Sequence, residues 1–236
     1  MFSWIATKAR RVFAVVHFGL LILRWCGFRM FITKTLHQLY GRTVFLVTTG
    51  QLDNPLPPSD FKCTVKLASP NDVKELFSGI HTESPEGRYQ LLVRKWYHER
   101  GYGDCYVTRT DDTNEICHVR WVVTAKHVRQ TGWEDRFPLD EDEAMAENQY
   151  TFERFRRGGG RRATALQLRE IVRQLGYTHS RGYTDVTNIE QRRHGENISA
   201  MVRARILERH FLFRVTHKTL EQYDPPVPMI TLRDIK

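Results

Sequence analysis

The feature that most constrains this chain is a run of three glycines between arginines, Phe155–Ala163, with the sequence FRRGGGRRA. Three consecutive glycines do not continue a helix, because glycine loses the most backbone entropy when it is ordered. The stretch before the run, Ala144–Phe152, favours a strand, and the stretch after it, Ala163–Leu175, favours an amphipathic helix. A strand, a glycine loop and a helix start together form a main-chain site for phosphate. The alternative interpretation is a solvated Arg/Gly linker.

Composition and charge limit the function classes. The 236 residues are 41% apolar, which is enough for a substantial core, and the formal net charge is +9. This charge predicts an anionic partner: nucleic acid, a membrane surface or a phosphorylated cofactor. The four cysteines include no CxxC pair, and the histidines form no HxH or HExxH pattern. We therefore predict reduced thiols, no disulfide framework and no metal site.

The N-terminal region, residues 1–40, differs from the rest. Its apolar run, Val12–Leu23, has basic residues before and after it. Twelve helical residues rise about 18 Å, which is short of the ~30 Å hydrocarbon core of a bilayer. We expect a basic amphipathic segment that packs on the domain or binds an anionic membrane face. The expected location is cytoplasmic, with peripheral binding at the inner membrane face as the second arrangement.

A proline-rich stretch, Asp53–Pro58, predicts the division between residues 1–58 and a mixed α/β domain at residues 59–236. The predicted elements of this domain, with the strand that precedes it, fall into three groups. The strands are 44–47, 63–67, the hairpin 105–108 and 116–123, 143–152, 183–187 and 211–216. The helices are 69–79, 85–99, 163–175 and 198–209. The loops are 133–142, 190–196 and a tail that starts at 225.

This order of elements resembles the GNAT superfamily of acyl-CoA N-acyltransferases over roughly Cys63–Leu220. The resemblance implies a central mixed, mostly antiparallel sheet flanked by helices, with an N-terminal helical appendage. In that family an Arg/Gln-x-x-Gly-x-Gly/Ala loop binds the pyrophosphate of coenzyme A. Here Arg156 and Gly159 occupy the first two motif positions, and Arg161 replaces the last small residue. The entry to the loop, Tyr150–Arg156, is similar to the family's strand end, without its proline.

The resemblance assigns the candidate site residues. The general base is predicted to be Glu147, nine residues before Arg156, with Glu143 on the same strand face. A solvent-facing strand carboxylate is the alternative for Glu147. A main-chain N–H near Tyr150 or Thr151 is expected to stabilise the oxyanion. The remaining cofactor-binding residues are Arg156, Arg157, Gly158, Gly159, Gly160, Arg161, Arg162 and Asn197.

The family's Asn-x-x-Ala/Ser-x-x-x-Tyr pattern fits Asn197 only in its first half, because Ala204 stands at the tyrosine position. Asn188 offers a second register. The general acid is therefore absent or supplied elsewhere, with Tyr177 and Tyr183 as candidates.

The predicted function is transfer of an acyl group, with acetyl-CoA or another acyl-CoA as co-substrate, to a small-molecule or peptide amine. One alternative is a basic nucleic-acid-binding protein using Arg156–Arg173 on phosphates. The other is a GNAT-fold protein that takes a long-chain or lipid-linked acyl donor at a membrane surface.

Overall fold

The computed structural model describes residues 16–54, 56, 58–134, 137–197, 200–211 and 214–232. Its described strands form one sheet in the order β2-β3-β4-β5-β6-β1-β7-β8. The strand bounds are β1 Tyr40–Gln51, β2 Cys63–Leu67, β3 Asp104–Thr110, β4 Ile116–Thr124, β5 Glu143–Thr151, β6 His179–Asp185, β7 Met201–Phe211 and β8 Arg214–Pro228. Among these strands β5 and β6 pair in parallel and every other neighbouring pair is antiparallel.

Helices cover both faces of this sheet. Their bounds are α1 residues 16–26, α2 Phe28–Leu39, α3 Pro70–Ser78, α4 Pro85–His98, α5 Ala125–Thr131, α6 Gly160–Gln174 and α7 Ile189–Asn197. Residues of α1, α3 and α4 pack with the fully buried Trp121 of β4 on one face. Leu168 and Val172 of α6 pack on the opposite face, against Val122 and Ala144. The predicted fold class, a mixed and mostly antiparallel sheet flanked by helices, is confirmed.

Local sequence signals explain the helix starts. The Ser69 hydroxyl accepts a hydrogen bond from the Asp72 N–H, the Asp72 carboxylate accepts one from the Ser69 N–H, and Pro70 follows at the first helical position. This capping box satisfies two main-chain donors that the helix cannot satisfy itself. The acid is held further by Arg109 and Lys66. The predicted helices 69–79 and 85–99 therefore match α3 and α4 within a residue.

Strand β1 lies inside the sheet, between β6 and β7, and pairs antiparallel with both. Its side chains Val44, Leu46 and Val47 are buried, and Leu46 is fully so. The sheet thus contains strands from both sides of the predicted division at residue 58. Helices α1 and α2 pack against the same body: Ile22 and Cys26 belong to the main core cluster, and α2 contacts β1 and β7. No helix of the described residues is long and apolar enough to cross a membrane.

The C-terminal third differs from the prediction in three places. The predicted helix 198–209 is wrong: the chain forms β7 there, with Val202, Ala204 and Ile206 buried and Arg203 exposed between them. This alternation has the period of two of a strand. The predicted loop 190–196 is helix α7. The predicted tail belongs to β8, whose prolines are tolerated because it is the last strand of the sheet.

The central position of β1 predicts a large cost for truncating its core side chain. We expect Leu46→Ala to lower the free energy of unfolding by about 2–5 kcal/mol, since a fully buried leucine leaves a cavity. Leu67→Ala, on a leucine that is 57% exposed at the end of β2, is the control and should cost under about 0.5 kcal/mol. Urea unfolding measures both values, and equal effects would contradict the interior placement of β1.

Candidate functional site

The glycine loop forms an open main-chain cradle at the N-terminus of α6. Arg157 and Gly159 have positive φ values of 67° and 90°, and Gly159 is the residue before the first helical residue, Gly160. Within the described chain, the N–H groups of Gly158, Gly159 and Gly160 have no hydrogen-bond acceptor. The Gly159 carbonyl accepts from the N–H groups of Arg162 and Ala163, which closes the first helical turn. Unpartnered N–H groups at a helix start attract an anion.

The side chain of Phe61 packs on the glycines of the loop, a contact that sequence reasoning missed. A Cβ on Gly160 would lie 3.3 Å from Phe61 Cε1, and one on Gly159 would lie 3.5 Å from Phe61 Cβ. Phe61 therefore packs directly on the glycine side of the loop, just after the proline-rich stretch. This contact fixes the loop against the segment between β1 and β2.

The arginines of the loop divide into exposed and engaged side chains. Arg157 and Arg162 are exposed. Arg156 is also exposed and donates to the Thr151 carbonyl, with Glu153 at 3.7 Å. Arg161 points inward and donates to the Gln191 side chain. Arg156, Arg157 and Arg162 thus present positive charge around the cradle.

Further along α6 the arginines serve the fold. Arg169 donates to the carbonyls of Gln51 and Leu52, which ties the helix to the end of β1. Arg173 pairs with Glu170 on the same helix at 2.8 Å. Arg169 and Arg173, which belong to the predicted nucleic-acid surface, therefore have partners within the protein.

Strands β5 and β6 separate beside the loop. They pair only from Glu143↔His179 to Met145↔Arg181, although both continue further. Beyond this point β6 stays paired with β1, up to Phe45↔Asp185, while β5 stays paired with β4. The result is a cleft between two parallel strands that opens toward the carboxyl end of β5, where the glycine loop begins.

A β-bulge shapes the β5 side of this cleft. Val119 pairs with Tyr150 and Trp121 with Glu147, so two residues of β5 oppose Arg120 alone. One of the two, Asn148, has a positive φ of 57°. Such a bulge bends the strand and redirects its main-chain groups. Arg120 donates to the Ala146 carbonyl at 2.8 Å through Nε, which fixes the strand just before the bulge.

The predicted base, Glu147, lies in the cleft next to the bulge. Its Oε1 accepts a hydrogen bond of 3.0 Å from the Tyr183 N–H of β6, across the gap between the two strands. Burial raises the pKa of Glu147, and the N–H groups of Tyr183 and Asn148 together with the charges of Arg120 and Arg161 partly offset that rise. A carboxylate with a raised pKa, held beside a cleft, suits proton transfer.

Glu143, on the same strand face, is engaged in a different way. It forms an ion pair with Arg181 in which both side chains are buried, and its second oxygen accepts from the Asp140 N–H. Separating this pair would leave a buried charge uncompensated, which holds the two side chains together. Glu143 thus fastens β5 to β6 at the closed end of the cleft.

Gln191 of α7 joins the elements around the mouth of the cleft. Its side-chain oxygen accepts from Arg161 of α6 and, at 3.1 Å, from Gln149 of the bulge. Two buried atoms beside this network, Gln149 Oε1 and Asn148 Nδ2, have no partner within the described residues. A buried amide acceptor and donor without partners are unusual in a protein.

The side chains of Tyr150 and Thr151 have partners within the protein. The Tyr150 hydroxyl donates to the Glu83 carboxylate, and burial raises the pKa of Tyr150. Thr151 Oγ1 lies 2.7 Å from Nδ1 of His118. The pKa of this buried histidine falls to about 3, because burial and the neighbouring arginines Arg120, Arg161 and Arg94 disfavour its charge. The oxyanion role of the Tyr150 and Thr151 N–H groups stays a prediction.

The Asn197 register of the family's pattern places its tyrosine position, Ala204, on a strand and not on a helix. Ala204 is buried in β7 and does not follow Asn197 on a helix, so that alignment is wrong. Asn197 ends α7, and Asn188 caps its start by accepting from the Gln191 N–H at 3.0 Å. In the Asn188 register the tyrosine position falls on Gly195, where a Cβ would lie 2.4 Å from Met229 Sδ.

Of the two tyrosines named as candidate acids, Tyr183 lies nearer to Glu147, because its own N–H binds that carboxylate. Its hydroxyl donates to the Pro138 carbonyl at 3.5 Å, and its ring packs edge-on against Phe137. Burial raises the pKa of Tyr183, so the hydroxyl keeps its proton at physiological pH. Tyr177 packs at the end of α6, in the cluster of Leu168 and Val172.

No family model matches the chain, and no curated protein matches it. Three matching solved structures illustrate its likenesses. One, from a fungal multi-domain β-N-acetylglucosaminidase with a GCN5-related glucosamine N-acetyltransferase region, is 18% identical over 65% of this chain and 21% of that chain, with a TM-score of 0.46. A putative GNAT-family acetyltransferase from Novosphingobium aromaticivorans is 16% identical over 70% and 62%, with a TM-score of 0.42. A GNAT-family N-acetyltransferase from Escherichia coli, solved with CoA, is 11% identical over 52% and 63%, with a TM-score of 0.36.

The chain thus spans less than two thirds of the length of these proteins, from 21% to 63%. A further match, from Staphylococcus epidermidis, is described as functionally unknown. With TM-scores below 0.5, these likenesses carry no argument about activity. The mixed, mostly antiparallel architecture is therefore described from the chain's own strand order and pairing.

Proposed function

We propose that this protein is an acyl-CoA-dependent N-acyltransferase that holds the pyrophosphate of its co-substrate on the loop 156–162. The observation that carries the proposal is the trio of unpartnered N–H groups at Gly158, Gly159 and Gly160, at the start of α6 and beside the opening between β5 and β6. Exposed Arg157 and Arg162 add the positive charge that a pyrophosphate requires.

The cleft supports the same ligand class. The pantetheine arm of an acyl-CoA carries two amide groups, and the amide atoms Gln149 Oε1 and Asn148 Nδ2 next to the bulge are buried without partners within the described residues. The arm would run from the cradle toward Glu147, along the side of β5 that β6 has left. The thioester would then lie near the carboxylate that is to receive the proton.

Acyl transfer requires a base that deprotonates the amine and release of the CoA thiolate. Glu147 takes a proton from the attacking amine nitrogen, the nitrogen adds to the thioester carbonyl, and the C–S bond breaks to release the thiolate of CoA. The hydrogen bond from the Tyr183 N–H orients the carboxylate, and its raised pKa brings it closer to the pKa of an amine acceptor. The acceptor is an amine on a small molecule or peptide.

The alternative of a nucleic-acid surface is less well supported. Of the arginines between Arg156 and Arg173, Arg161, Arg169 and Arg173 are held by partners within the protein. A long-chain or lipid-linked acyl donor fits the same cradle and cleft, because only the acyl end would differ.

Substitution of Gly158 tests the cradle without backbone strain. A Cβ there meets no atom closer than 3.5 Å, and its φ is not positive, unlike that of Gly159. We expect acetyl-CoA at a hundred times its Kd to stabilise the wild type by about 2.7 kcal/mol. Gly158→Asp should abolish the rise in Tm, because its carboxylate would face the pyrophosphate. Gly158→Asn, which has the same shape without the charge, should retain most of the rise.

Thermal-shift titrations with acetyl-CoA, longer acyl-CoAs and RNA provide the measurement. Equal Tm shifts of Gly158→Asp and Gly158→Asn with acetyl-CoA would contradict phosphate binding at the glycine loop. The absence of a Tm shift of the wild type with any acyl-CoA would contradict it as well. A response to RNA alone would favour the nucleic-acid alternative.

Substitution of Glu147 tests the mechanism. Glu147→Gln keeps an oxygen that accepts from Tyr183 but removes the base, so turnover should fall by ~10²–10⁴-fold while the KM for acyl-CoA hardly changes. The wild-type rate should fall as the pH drops through the pKa of Glu147, because protonation removes the base. Since burial raises that pKa, the midpoint should lie above the usual 4.5. The rate of Glu147→Gln should not show this fall at low pH.

Release of the CoA thiol with a panel of amine acceptors measures these rates. Glu141→Gln, on an exposed glutamate paired with Arg129, is the matched control and should keep the wild-type rate and pH profile. Near-normal turnover of Glu147→Gln with an unchanged pH profile would show that another group takes the proton.

A further inference from the structure

Helices α1 and α2 each expose a row of large apolar side chains. Their inner sides are packed: Ile22 and Cys26 are buried, and Phe18 and Trp25 contact Trp96 and His81. The outer side of both helices carries large apolar side chains instead, which we name the outer apolar face: Val16, Leu20 and Leu23 of α1, and Phe28, Ile32 and Leu36 of α2.

The spacing shows that this face is a pattern and not a scatter of exposed residues. Steps of three or four residues place its members in one stripe on each helix. Gly27, with a φ of 87°, lies between the stripes. Phe28 and Leu36 are 68% and 59% exposed. Single exposed apolar residues are common on proteins, whereas rows of large apolar side chains at helical spacing on two consecutive helices indicate a surface with a partner.

Charge identifies the kind of partner. The first acidic residue of the chain is Asp53, while the 52 residues before it contain 7 of its 36 Lys and Arg. This segment therefore carries +7 of the net +9, and the other residues, with 29 basic and 27 acidic side chains, carry +2. Arg24 and Arg29 are exposed and stand next to Leu23 and Phe28 in the sequence, and the Arg24 guanidinium lies 5.4 Å from the centre of the Trp25 ring. Lys34 pairs with Glu86 of α4 at 3.8 Å, so it belongs to the packed side.

We propose that the outer apolar face binds the surface of an anionic lipid bilayer, with α1 and α2 lying in the plane of the headgroups. Apolar side chains enter the acyl boundary while neighbouring arginines contact lipid phosphates. An anionic surface strengthens binding by about fivefold for each Lys or Arg close to it. A protein partner would need matching acidic residues, and a second copy of this strongly basic segment would repel the first.

Vesicle flotation of the full chain tests this proposal. We expect flotation with vesicles of phosphatidylcholine mixed with phosphatidylserine, much weaker flotation with phosphatidylcholine alone, and loss of binding as salt screens the charges. The double variant Leu20→Glu with Phe28→Glu should lower the partition coefficient at least tenfold. The matched control, Leu175→Glu with Leu220→Glu, changes leucines that are 58% and 52% exposed elsewhere and should float like the wild type.

Three results would overturn the proposal. These are equal binding to neutral and anionic vesicles, equal flotation of the two double variants, and self-association in sedimentation that Leu20→Glu with Phe28→Glu abolishes. All of these residues are exposed, so the variants should keep the wild-type Tm. The thermal shift with acetyl-CoA should also be unchanged in both variants, which separates a failure at the membrane from a failure of the proposed activity.

Discussion

The separation of β5 from β6 after Met145 and Arg181 is the constraint on which the rest of the site depends. Two parallel strands that part lose their shared hydrogen bonds, and buried main-chain groups must find other partners. On the β5 side the protein supplies Arg120, which donates to the Ala146 carbonyl, and Arg94, which donates to the Gln149 carbonyl. On the β6 side the Tyr183 N–H is satisfied by Glu147. The cleft and the orientation of the candidate base therefore have one cause.

Several arginine side chains lie near Glu147 and His118, and their charges act on the pKa values of both residues. Arg94, Arg120 and Arg161 surround His118 and keep it neutral, and Arg120 and Arg161 also favour the ionised form of Glu147. Burial acts on Glu147 in the opposite direction and is the larger influence. The guanidinium groups of Arg120 and Arg161 near Glu147 would favour a polyanionic ligand such as acyl-CoA. The structural pair Glu143–Arg181 closes the other end of the cleft without adding net charge.

Short sequence patterns correctly predicted the elements whose formation depends on neighbouring residues. The capping box at Ser69, the hairpin of β3 and β4 and the start of α6 at the glycines all depend on residues close together in the chain. The helix predicted at 198–209 was wrong because Ala204 and Glu208 favour helices by propensity, while the alternation of buried and exposed residues favours β7. The pairing of β1 with β6, the contact of Phe61 and the bridging role of Gln191 join residues far apart in sequence. No local pattern encodes these contacts.

The central claim is that the main chain at the start of α6 holds a phosphate group. Amide hydrogen exchange and ¹H–¹⁵N chemical shifts of Gly158, Gly159 and Gly160 test it most directly, because these N–H groups have no acceptor within the described protein. On addition of CoA, the account predicts slower exchange and large shifts at these three amides, with little change at Gly176, the glycine beyond the other end of α6. CoA binding that leaves all three amides unchanged would contradict the account.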